Sequence, residues 1–183
     1  MHRNFEIKIL EQSWLKNCSA NKDLCSHGRI SLVIGDTKIA EDKEIFGISE
    51  SALAMLRTID SNHSKDNRVA DRMIFHGCGT ILMMGCPIGI DWNVSHLEGQ
   101  VVQISDVVWY PQTDINKAVH YNGLIAKMPL SEYCPAVVSF ACQAREFFKG
   151  MKKEIDDNFD KNQYEEFWAE YNQLLGEYSK KSE

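Results

Sequence analysis

Between residues 90 and 95 the side chains alternate: Ile90, Trp92 and Val94 are apolar, while Asp91, Asn93 and Ser95 are polar. A period of two marks a half-buried β-strand, because successive side chains point to opposite faces. Leu97-Glu98-Gly99-Gln100 then supplies a turn in which Gly99 is free to take a positive φ. The stretch from Val101 to Tyr110 is rich in β-branched and aromatic residues and reads as the return strand. This central hairpin constrains the fold more than any other stretch.

The rest of the chain is read around it. Phe5, Ile7 and Ile9 alternate with Glu6 and Lys8, a first strand; residues 11–27 lack periodicity and read as loop. Apolar runs at 30–34 and 37–40 flank Gly35-Asp36, a second hairpin. Ser49 is the expected N-cap of a helix ending near Asp60, with Glu50 in its first turn and Ala52, Leu53, Leu56 and Ile59 on one face. The polar residues 61–71 are expected to form an exposed loop, and 73–84 two short strands around a glycine bend. Residues 119–128 read as a strand with Gly123 as a bulge. Ser131 should cap a helix closed by Gly150, and Asp160 with Gln163 should open the last one. That last helix carries the stripe Tyr164, Phe167, Trp168, Tyr171, Leu174, Leu175 and Tyr178. The expectation is a single α+β domain over 1–183: a mostly antiparallel sheet of six or seven strands with about three helices on one face, the last two at the C-terminus. Trp92 and Trp168 should be core residues.

The formal net charge of −6 disfavours a nucleic-acid partner, which needs cations to replace phosphate counterions, and is compatible with a basic protein partner. No apolar run approaches the roughly 20 residues of a membrane helix, and no signal peptide is visible at the N-terminus. A cytoplasmic protein with its six cysteines reduced is expected.

The residue types present raise three chemistries. His76, Cys78, Cys86 and His96 are zinc-ligand types, but no two cysteines lie two to four residues apart, so no metal and no cofactor is expected. Cys86, His96 and Asp91 include the types of a Cys-His-acid nucleophile, yet His96 and Asp91 fall on opposite faces of one strand. The glycines at 77, 79, 85 and 89 lack the pattern of a phosphate loop.

Several segments do form a recognisable set: Ile48-Ser49-Glu50-Ser51-Ala52-Leu53, His76-Gly77-Cys78-Gly79, Gly85-Cys86-Pro87-Ile88-Gly89-Ile90-Asp91-Trp92 and Tyr164-Glu165-Glu166-Phe167-Trp168-Ala169-Glu170-Tyr171. Together they resemble a family of small cytoplasmic bacterial immunity proteins encoded beside polymorphic toxins. The resemblance implies a non-catalytic protein that neutralises a cognate toxin domain by contact, and it supplies no catalytic residues. The expected partner surface is the polar side and ends of the central hairpin, namely Asp91, Asn93, Ser95, His96, Asp106 and Trp109. The alternative surface is the acidic face Glu165, Glu166 and Glu170. Two other classes stay open: a small enzyme with a Cys/His cleft using Cys86 or His96, and a ligand-binding or scaffold domain.

Overall fold

A computed structural model describes residues 4–40, 44–78, 82 and 86–180. Among the described residues nine strands form one antiparallel sheet: β1 (Phe5–Ser13), β2 (His27–Ile34), β3 (Thr37–Ala40), β4 (Phe46–Gly47), β5 (Ile74–His76), β6 (Gly89–Leu97), β7 (Val101–Tyr110), β8 (Val119–His120) and β9 (Ala126–Pro129). The order is β1-β2-β4-β5-β6-β7-β8, with β3 also on β2 and β9 also on β7. The helices are α1 (Ile48–Arg57), α2 (Leu130–Glu146) and α3 (Asn158–Ser179). The α+β class and the two C-terminal helices are as the sequence implies. The strand count rises above six or seven partly because β4 and β8 are only two residues long, below what alternation can register. Among the described residues no helix is long and apolar enough to cross a membrane.

The apolar face of the central hairpin is buried as its period dictates: Ile90, Trp92 and Val94 are at most 1% exposed. Trp92 lies against Phe5 (centroids 6.3 Å apart), which in turn meets Tyr133 of α2 (5.1 Å). On α3, Phe167, Trp168, Tyr171 and Tyr178 are buried, and Tyr164, Leu174 and Leu175 pack beside them. The expected stripe is therefore the packed face. Its cap is Asp157 rather than Asp160: the Asp157 side chain accepts from the N–H groups of Phe159 and Asp160. Capping by a carboxylate three residues earlier starts the helix at Asn158, so Asp160 falls within its first turn.

Helix α1 departs most from expectation. Every residue from Ile48 to Leu56 is buried, so α1 is covered on all sides rather than along one stripe. Its N-cap is Gly47, and Ser49 and Glu50 lie inside the helix. α2 likewise begins at Leu130 after Pro129, not at a Ser131 cap. Residues 119–128 split into β8 and β9 around a turn with Gly123 at φ +78°. The 61–71 segment is not uniformly exposed, since His63 is buried and its backbone exchanges two 2.9 Å hydrogen bonds with Val94. Of the two strands expected in 73–84, β5 is present and the second falls mostly outside the described residues.

Candidate functional site

Buried polar groups cluster where three segments meet: the entry to β2, the β4–α1 junction and the end of β5. Asp23, Ser26, His27, Ser49, Glu50 and Ser51 are all nearly inaccessible to solvent. Serines stitch the segments together. The Ser26 N–H donates to Ser49 Oγ at 3.0 Å, and the Phe75 N–H donates to Ser51 Oγ at 2.9 Å. Ser51 Oγ in turn donates to the Gly47 carbonyl. Ser49 Oγ donates to Glu50 Oε2 at 3.0 Å. Burial pushes the Glu50 carboxyl above its usual range, although hydrogen bonds from neighbours, including Cys25 and Ser49, oppose the rise. Burial, then the Glu50 charge, pushes the Cys25 thiol up as well.

Asp23 behaves oppositely. Burial alone would raise it, but the His27 hydrogen bond and the N–H groups of Leu15 and Cys25 hold its carboxyl below the ordinary value. His27 Nε2 lies 3.1 Å from one Asp23 oxygen, so the proton belongs on that nitrogen whichever charge the ring carries. Lys153 closes this corner, donating to the carbonyls of Ala20 and Asp23 with its ammonium 3.5 Å from the Trp14 ring centroid.

At the outer margin stand His76, Cys78 and Cys86. Their donor atoms all lie within 4.8 Å of one another, and Cys86 Sγ is 3.5 Å from His76 Nδ1. Local backbone explains the convergence. A side chain at position 77 would sit 2.7 Å from the Ile45 side chain and 2.9 Å from its carbonyl, so Gly77 lets the turn close on Ile45. Gly89, at φ +153°, would place a Cβ 2.4 Å from the Ile74 carbonyl. Only glycine lets β6 enter the sheet this close to β5, and Cys86 is thereby held beside the end of that strand. Burial, then the charge of His27, lowers His76 from its ordinary value, which favours a neutral imidazole. Nearby, an open cleft of about 700 Å³ is lined by Trp14, Lys16, Cys18, His27, Arg29 and Ile45 among others.

The hairpin residues expected to meet a partner are mostly occupied within the fold. Asp91 accepts from His63 Nε2 at 3.2 Å and lies 3.9 Å from both Arg68 and Arg72. His96 Nε2 faces the Thr58 carbonyl at 3.0 Å, and its N–H donates to Asn62. Trp109 packs partly buried against the core, and Ser95 lies opposite Gln103. Asn93 and Asp106 do meet: Asn93 Nδ2 donates to Asp106 at 2.7 Å on an exposed surface. The irregular register between Asp91 and Asn93 permits this, with Asp106 in the left-handed region at φ 51°. Glu170, on the alternative surface, pairs with Arg57 through two 2.6 Å bonds. Cys86, His96 and Asp91 each engage a different partner, so no nucleophile triad forms from them.

Sequence reasoning missed Asp23, His27 and Glu50. Ser49-Glu50 has the form of an exposed helix start, and only the complete burial of α1 turns it inward. A weak signal existed in Asp23 and His27, an acid and an imidazole four residues apart leading into a strand. Comparison with family models, curated proteins and solved structures gives no match for this chain.

Proposed function

We propose that this is a small ligand-binding domain whose working centre is the thiol–imidazole cluster of His76, Cys78 and Cys86, and that its ligand is a soft electrophile. The carrying observation is the convergence of two sulfurs and one imidazole nitrogen within 4.8 Å at the protein surface. Sulfur is the softest donor a side chain offers, and the imidazole nitrogen 3.5 Å from Cys86 stands beside it as a further donor, the thiol proton passing to solvent when the sulfur bonds. The buried polar network behind the cluster supplies a fixed base for it. The test is competitive alkylation of the chelator-treated protein, read by peptide mass spectrometry, with the exposed Cys142 as internal reference. Cys86 should react at a rate clearly different from Cys142, and His76→Phe should remove the difference. Indistinguishable rates in the parent protein would refute the reading.

A second reading has the exposed Asn93–Asp106 pair in its favour: a carboxylate displayed in a left-handed conformation on an acidic protein. This is the non-catalytic immunity protein, neutralising a cognate, basic toxin domain in the cytoplasm. Asp106→Lys should slow association with the toxin domain encoded beside it, and that slowing should shrink as salt is added. An unchanged association rate would remove the hairpin from this role.

A further inference from the structure

We infer that the soft electrophile is a zinc ion, bound by His76 Nδ1, Cys78 Sγ and Cys86 Sγ with its fourth position left to a ligand from outside the cluster. The inference rests on the proposed thiol–imidazole centre and deepens it.

Distance carries the first part of the argument. Zinc sits about 2.3 Å from thiolate sulfur and about 2.0–2.1 Å from imidazole nitrogen, so a tetrahedral angle separates such a sulfur and nitrogen by about 3.6 Å. The Cys86–His76 separation is 3.5 Å. Two thiolates on one zinc lie about 3.8 Å apart by the same geometry, and all three donors here fall within 4.8 Å. Binding therefore requires side-chain adjustments of about an ångström or less in the remaining pairs.

The donor set carries the second part. Two thiolates and one imidazole are soft to borderline ligands, a set that favours zinc over magnesium or calcium. With two thiolates, whose two protons pass to solvent as the Zn–S bonds form, and a neutral imidazole the site holds zinc at net zero charge, which suits a partly buried position.

Topology carries the third. The usual spacing rule looks for two cysteines within one tight turn. Here His76 and Cys78 leave β5 while Cys86 approaches β6, and the antiparallel pairing of Ile74 with Ile90 and Phe75 with Gly89 brings the two ends together. An ion at this point would tie the end of β5 to the start of β6. Among the described residues no other histidine, cysteine or carboxylate joins the group, and residues 79–85 contain none of these types. Three protein ligands with an open fourth position is the arrangement of zinc sites that take a water or an exogenous ligand, whereas structural sites are filled by four.

The test uses the full chain, freed of any oligohistidine tag and purified without chelator under mild reductant. Elemental analysis should find one zinc per chain. Replacement by cobalt should give a thiolate-to-cobalt charge-transfer band together with the intense visible absorption of a tetrahedral ion. Cys78→Ser and Cys86→Ser should each weaken zinc binding by on the order of 100-fold, a ligand bond being lost in each case, while Cys142→Ser should leave it unchanged. Should a serine variant fail to fold, the cobalt spectrum of the parent protein still decides. Metal-free protein that gives no cobalt spectrum, or a Cys78–Cys86 disulfide in place of metal, overturns the inference. Copper bound one to one overturns the assignment of zinc but not the soft-ligand centre. If neither metal binds while Cys86 still differs from Cys142 in alkylation, the centre stands and its metal does not.

Discussion

Trp92→Ala should remove more stability than any other single truncation in the central hairpin. Trp92 is 1% exposed and contacts Phe5, the residue that links the hairpin face to Tyr133 on α2. A buried tryptophan withdraws about 150–250 Å² from water. At about 25 cal/mol per Å², that corresponds to roughly 4–6 kcal/mol. Alanine recovers part of this area. The Trp92 indole N–H has no hydrogen-bond partner among the described residues, and removing it relieves a desolvation cost of about 1 kcal/mol or more. The expected net loss is about 3–5 kcal/mol, in line with aromatic-to-alanine changes in other cores. For a chain of this length each kcal/mol corresponds to a Tm shift of about 2–4 °C, so the melting point should fall by roughly 6–20 °C. Trp92→Phe keeps most of the ring and drops the unpartnered N–H, and should lose about 1 kcal/mol. Thermal and urea denaturation followed by far-UV circular dichroism measure both. A Trp92→Ala protein that melts within 2 °C of the parent, a margin of about 1 kcal/mol, would refute the assigned hairpin face and the register that follows from it.

Trp168→Ala should also be costly, by about 3–4 kcal/mol, because the ring meets Phe148, Phe167 and Tyr171 and lies under Arg145; urea melts read it. His63→Ala should destabilise by about 2–4 kcal/mol, since it strips the closest hydrogen-bond partner from the half-buried Asp91 carboxylate. Arg57→Ala should lose about 1–3 kcal/mol, because the part-buried guanidinium makes two bonds to Glu170 and one to the Val69 carbonyl, and an unchanged stability in urea melts would contradict this pairing. Glu50 sets a pH dependence. Its folded pKa is raised, so between the ordinary carboxyl value and the folded value the native state holds more protons than the unfolded one, and stability falls as pH rises through that window. Glu50→Gln should flatten this part of the profile in urea melts taken from pH 4.5 to 8; an unchanged slope would contradict the upward shift that burial gives the Glu50 carboxyl.

Alternation along β6 and β7 and the aromatic stripe of α3 were legible because each face is repeated over nine or more residues. The residue types of the candidate centre were legible, since His76, Cys78 and Cys86 stand out with His96 as zinc-ligand types, but their convergence was not, for three physical reasons. Its ligands converge through β5–β6 pairing, a long-range contact that residue spacing cannot reveal. Its backing acid, Glu50, sits in a helix buried all round, where the usual equation of charge with exposure fails. The two-residue strand β4, which joins β2 to β5, is too short to leave a pattern. The hairpin's polar face illustrates the converse. Alternation turns Asp91 away from the apolar core, but the folding of 61–71 over that face gives it His63, Arg68 and Arg72 as neighbours.

The central claim is that Cys78 and Cys86 stand together beside His76 and capture a soft electrophile. A trivalent phenylarsenical tests it directly, because it bonds stably to two sulfurs only when they can reach one arsenic atom. Intact-mass analysis of chelator-treated, reduced protein should show one arsenical per chain, peptide mapping should place it across Cys78 and Cys86, and either serine substitution should abolish it. No stable adduct, or an adduct bridging other cysteines, would contradict the account.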